Sequence, residues 1–94
     1  MKIIIAKTFK QKLIGLMGQT NIDYGMFFPN VNSIHTFFMK ETIDVIGLNK
    51  DLIIMEIYPN ITPNHTLFLN QSVHTLELPK EASKNFKIGQ KLEL

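Results

Sequence analysis

The stretch Ile34-His35-Thr36-Phe37-Phe38-Met39-Lys40-Glu41-Thr42-Ile43-Asp44-Val45-Ile46 concentrates the residues of this chain that could do chemistry. It is densely apolar, yet it holds a histidine, a threonine, a lysine and an aspartate. Polar groups inside an apolar run must be hydrogen-bonded, exposed on one face, or engaged with a ligand. An enzyme would use His35 as acid or base, Asp44 to orient it, Thr36 as a polar contact and Lys40 to hold an anion. A binding cleft asks less: the same four residues at one edge of a sheet, with Met39 as an apolar wall. The candidate ligand-binding set is therefore His35, Thr36, Met39, Lys40 and Asp44, and no residue is assigned a catalytic role. His35 and Asp44 stand in two elements whose pairing their spacing leaves open. The chain has no glycine-rich phosphate loop, no Gly-x-Ser-x-Gly elbow and no His-Glu-x-x-His.

A metal site could draw on His35, His65 and His74, or on a soft set of Met17, Met26, Met39 and His35 suited to copper(I). No pair of these residues has a recognisable ligand spacing, and methionine is an ordinary core filler. No metal or cofactor is expected. There is no cysteine, which excludes disulfides, thiol chemistry and thiolate-held zinc or iron–sulfur clusters.

The basic residues are ten lysines and no arginine, scattered from Lys2 to Lys91. Nucleic-acid binders favour a basic stripe and arginine's bidentate contacts, so nucleic acid is not an expected partner. No apolar run reaches the ~20 residues of a membrane helix, and no membrane partner is expected. The start, Met1 to Lys7, is too short for a signal h-region and reads as a strand. A cytoplasmic location is the expectation, any exported form being the mature chain. The expected partner is an unidentified small molecule or protein. Three Asn-x-Ser/Thr triplets, at Asn60, Asn64 and Asn70, match the glycosylation pattern but read as coincidence.

The elements that must position these residues follow from periodicity and turn chemistry. With 94 residues, the chain is read as one domain, 1–94, able to bury roughly 65% of its unfolded surface. Residues 2–7 are rich in β-branched residues and read as a strand. Thr8 and Gln11 have capping-box spacing, and Phe9, Leu13, Leu16 and Met17 share one helical face. This predicts a helix over about 9–17 with Gly15 inside it and Gly18 ending it. Strands are expected at 24–28, 34–39, 73–78 and 91–94, and a hairpin at 43–48 and 52–58. Pro79 is placed to open a short helix to about Phe86. The proline- and asparagine-rich stretch 59–72 is expected to form a loop at the rim of the site. In an extended 34–39, His35, Phe37 and Met39 share a face. His74 would share one with Leu76 and Leu78. A neutral core histidine is the commoner role for each.

The fold class expected is β-rich α+β. It would be a small barrel-like or strongly curled antiparallel or mixed sheet, with one N-terminal helix and one short C-terminal helix.

Five pieces in order give the chain a resemblance that spans nearly its whole length. They are Thr8–Lys12 with Gly15-Leu16-Met17-Gly18; Gly25-Met26-Phe27-Phe28; His35-Thr36-Phe37-Phe38-Met39-Lys40 with Ile43-Asp44-Val45; Leu76-Glu77-Leu78-Pro79; and Ile88-Gly89-Gln90-Lys91-Leu92. Together they resemble domain of unknown function 192, an uncharacterised bacterial and archaeal family. Lys12 stands where that family usually has arginine, Glu81 where glycine is usual, and Gln90 where aspartate is frequent. The resemblance implies a small β-rich domain without an established activity. A non-catalytic ligand-binding or accessory domain is the expected function. The alternative is a small enzyme centred on His35 and Asp44.

The lysine distribution sets a first expectation. Diffuse positive charge gives at most weak, salt-sensitive association with DNA or RNA. Anisotropy titrations at physiological salt should therefore show no sub-micromolar complex.

Overall fold

The computed structural model describes residues 1–94, except for the side chains of Phe9 and Leu13. The strands are β1 (Ile3–Ile5), β2 (Gly25–Phe28), β3 (Ser33–His35), β4 (Ile43–Leu48), β5 (Ile54–Ile61), β6 (Thr66–Phe68) and β7 (His74–Pro79). Five of them form one mixed sheet in the order β1-β2-β7-β4-β5; β3 and β6 form a separate antiparallel ribbon. Only β1 and β2 run parallel. The two edge strands of the large sheet do not pair, so the fold is β-rich but not a closed barrel.

β4 is the best buried element, with all six residues enclosed. Its apolar residues at both parities explain this: a strand covered on both faces has no solvent side to keep polar. Ile43 and Val45 join Leu16, Met26, Phe28, Ile34, Met39 and Leu69 on one face. Ile46 and Leu48 join Phe27, Ile54, Leu76, Leu78 and Leu92 on the other. The ribbon and the first turns of the chain cover the first face. The C-terminal segment, with Ala82, Phe86 and Leu92, covers the second. Gly47 admits the close approach of residues 69–72, since a Cβ there would run into Leu69 and Ser72.

The helix expected over about 9–17 does not form at that length. What stands there is α1 (Phe9–Ile14), under two turns long. Thr8 Oγ1 accepts from the Gln11 N–H at 3.0 Å and the Gln11 side chain accepts from the Thr8 N–H, so the capping box is present. Gly15 lies outside the helix and ends it, with φ +53° and ψ −126°, a conformation that glycine alone adopts without strain. Leu16 and Met17 still turn into the core. The expected packing of Phe9 and Leu13 lies outside the described residues.

Four further elements differ. The strand expected over 34–39 stops at His35, because Thr36 turns inward and bonds to the 62–65 segment. The presumed loop 59–72 is partly strand: β5 runs on to Ile61, and Thr66–Phe68 forms β6 against β3. The C-terminal helix is a single 3₁₀ turn (Ala82–Asn85) entered through Glu81 with φ +71°. The last strand is reduced to one bridge, Lys91 to Ile53, with Leu92 buried and Leu94 exposed.

Two substitutions test this packing by urea denaturation. Thr8→Ala should lower stability by about 1 kcal/mol through loss of the cap. Leu16→Ala should lower it by about 2–5 kcal/mol, since Leu16 is 1% exposed in the larger core.

Candidate functional site

A cleft of about 190 Å³ opens between the turn after α1, the ribbon strand β3, and the face of β2 and β7. Its apolar walls include Leu16, Met17, Phe28, Ile34 and Met39, and its polar groups are Lys12, Ser33, His35 and Glu77. Local backbone explains the opening. A Cβ on Gly15 would sit 3.1 Å from the Phe28 ring and 3.6 Å from Glu77 Oε1. The missing side chain leaves that space empty in front of the carboxyl. Opposite it, Phe38 has φ +65°, a left-handed conformation costing on the order of 1 kcal/mol for such a residue. That reversal turns Met39 inward. It also aims the Phe38 carbonyl at Gly18 N–H, 3.1 Å away. The Phe38 ring itself is 78% exposed.

Glu77 is the feature that the five-residue candidate set missed. It is 6% exposed and makes no hydrogen bond or ion pair among the described residues. Its neighbours across the sheet are Met26 on β2 and Val45 on β4, both apolar. Burial with no donor pushes its carboxyl up to about 8. No sequence pattern marked it: Leu76 and Leu78 alternating with Thr75 and Glu77 read as a strand with one solvent face, and the structure buries all four.

The other enclosed carboxylates behave differently. Glu56 accepts from Tyr58 Oη at 2.7 Å, from the Gln71 N–H at 3.0 Å and from Ser72 Oγ. Asp44 is fully buried and accepts from the backbone N–H groups of Asn60 and Ser83, each at 2.9 Å. Burial alone would raise the Asp44 carboxyl. Its hydrogen bonds, from the Ser83 side chain and from backbone groups of Asn60, Ser83 and Glu81, outweigh that and hold it below the usual carboxylate range. Asp44 thus anchors the ends of β5 and of the C-terminal turn.

The cleft brings together only two of the five residues selected from the sequence, His35 and Met39. Thr36 is buried in a structural role: its hydroxyl reaches the Thr62 carbonyl at 2.8 Å and accepts from His65 N–H at 2.8 Å. Lys40 is exposed and outside the cleft, because the chain turns at Phe38 rather than continuing as a strand. Asp44 lies on the opposite face of the sheet, beside Ile46 and Leu48, so it cannot orient His35. His35 is exposed, with its ring 5.5 Å from that of Phe37. The histidines stand apart. His65 bonds to Thr62 Oγ1, and His74 Nδ1 accepts from the Asn30 N–H at 2.8 Å. Burial lowers the His74 pKa, which suits a ring held neutral as an acceptor. Of the methionines considered for copper, Met17 and Met39 line the cleft and Met26 does not.

A model of the uncharacterized ACR family DUF192 matches residues 1–94. No curated protein matches the chain. Among solved structures, the chain is similar to a protein of unknown function from Novosphingobium aromaticivorans. Identity is 23% and the TM-score 0.86, over 98% of this chain and 74% of that one. It is also similar to a protein from Sinorhizobium meliloti provisionally labelled a transcription regulator. There identity is 22% and the TM-score 0.82, over 97% of this chain and 79% of that one. At such identities the likeness concerns the fold. Among the described residues, no helix is long and apolar enough to cross a membrane.

Glu77 makes stability depend on pH. Its folded pKa, about 8, exceeds the ordinary glutamate value of 4.5, so the folded state holds a proton that the unfolded state releases. The stabilisation is complete below about pH 4.5 and is lost as pH rises through about 8. The contribution of Glu77 should make the melting temperature fall between about pH 5 and about pH 9. Glu77→Gln should flatten that fall, leaving the variant ahead of the parent at the alkaline end.

Proposed function

The chain belongs to the uncharacterized DUF192 family, and from its geometry we propose that it is a non-catalytic binding module whose ligand sits in the Glu77 cleft. One observation carries this reading. Glu77 is a buried carboxyl that receives no donor from the protein and faces an open cavity. Its oxygens open onto the cleft, since no fully enclosed side-chain oxygen or nitrogen among the described residues lacks a partner. A structural position would favour an apolar residue there, or donors of the kind that Asp44 and Glu56 receive. A ligand that supplies the missing hydrogen bond accounts for both the carboxyl and the space in front of it. The volume, about 190 Å³, is below the ~300–1,000 Å³ of drug-sized sites. It suits a small molecule or one end of a larger one. A dyad of His35 and Asp44 has no support, because the sheet separates them.

The test is a fragment screen followed by amide NMR. Shift changes are expected to cluster at Gly15, Met17, His35, Met39 and Glu77, and Glu77→Leu should abolish them. Hits scattered over the surface, or unchanged in Glu77→Leu, would refute the cleft. His35→Gln should leave the melting temperature nearly unchanged, since the ring is exposed and stacks on Phe37.

A further inference from the structure

Resting on the cleft as the binding site, we infer that its ligand is a carboxylate carried on a small apolar group, with Lys12 and the Glu77 carboxyl meeting the two ends of its anionic head. The charged and titratable groups at the cleft are few: Lys12 from α1, His35 from β3 and Glu77 from β7. The strands flanking Glu77, β2 and β4, bring apolar residues to it. Lys12 and Glu77 share the cleft without forming an ion pair. Each therefore keeps its hydrogen-bonding capacity for something else.

The charge balance selects the ligand. The ammonium of Lys12 has three donors and no acceptor. A protonated carboxyl is also a donor, and Glu77, set between Met26 and Val45 with no donor among the described residues, is biased toward that form by burial. His35 adds a ring N–H at the mouth. All three can donate, and an anion accepts from all three. An amine ligand would meet the Lys12 charge and would require Glu77 to ionise in an apolar setting. The apolar remainder of the ligand has Phe28, Met17 and Met39 to lie against, and thioethers adapt to varied shapes. No bond is made or broken; the Glu77 proton stays on its oxygen and points at the ligand.

Such a head could belong to a free acid or to the C-terminus of a peptide, and calorimetry with both separates them. The probes are benzoate, a tripeptide ending in phenylalanine, the same peptide as its C-terminal amide, benzamide and benzylamine. Benzoate binding points to a free acid; binding of the peptide acid alone points to a chain terminus; either supports the inference. Lys12→Gln should weaken binding at least about tenfold. Affinity should fall about tenfold per pH unit above about 8, as Glu77 loses its proton. Glu77→Gln keeps a donor, so it should retain binding and lose that pH dependence. If benzylamine or benzamide binds the cleft and the carboxylates do not, the ligand class is wrong while the cleft stands. If none of the probes binds and fragments also fail, both readings fall.

Discussion

The pairing of β4 with β7 is the constraint on which the rest depends. These strands lie inside the large sheet, and each is covered on both faces. Asp44 is opposite Leu78 and Val45 is opposite Glu77. Side chains alternate across a strand, so this register sends Asp44 to one face and Glu77 to the other. A slip of one residue in β7 would carry Glu77 to the Asp44 face and Leu76 and Leu78 to the other. The register thus decides which carboxylate is structural and which faces a cavity.

The two carboxylates show how environment outweighs residue type. Each is enclosed by the same sheet. Asp44 meets the N–H groups of Asn60 and Ser83 and stays ionised. Glu77 meets Met26, Val45 and an open cleft, and it keeps its proton. Loss of hydration disfavours the charged form in both, and only donors reverse it. Glu56 receives three donors and fastens the 71–72 segment to β5.

Two local conformations create the cleft around Glu77. Gly15 ends α1 where a side chain would meet Phe28 and Glu77. Phe38 takes a left-handed conformation and shows its ring to solvent, which is unfavourable on both counts. The gain is positional: Met39 enters the core and the Phe38 carbonyl ties the 36–39 turn to Gly18. Backbone strain of this kind is commonly found at binding and catalytic sites.

Local rules in the sequence determined a good deal. β-branched and aromatic runs specified most strands. Thr8 and Gln11 specified the start of α1, and five ordered motifs specified the family. Those signals act within a few residues, so they are legible without the fold. The tertiary structure alone decided the site. Thr36 turned inward because distant residues, Thr62 and His65, offered it hydrogen bonds, and this ended the strand that was to align His35, Phe37 and Met39. Within 59–72, Thr66–Phe68 became strand because β3 was there to pair with it, and 59–61 because β4 extended β5. Lys12, His35 and Glu77 converge from three elements far apart in the chain. The character of Glu77 comes from what it lacks, a donor within reach. That depends on every neighbour in space at once, and no pattern along the chain encodes it.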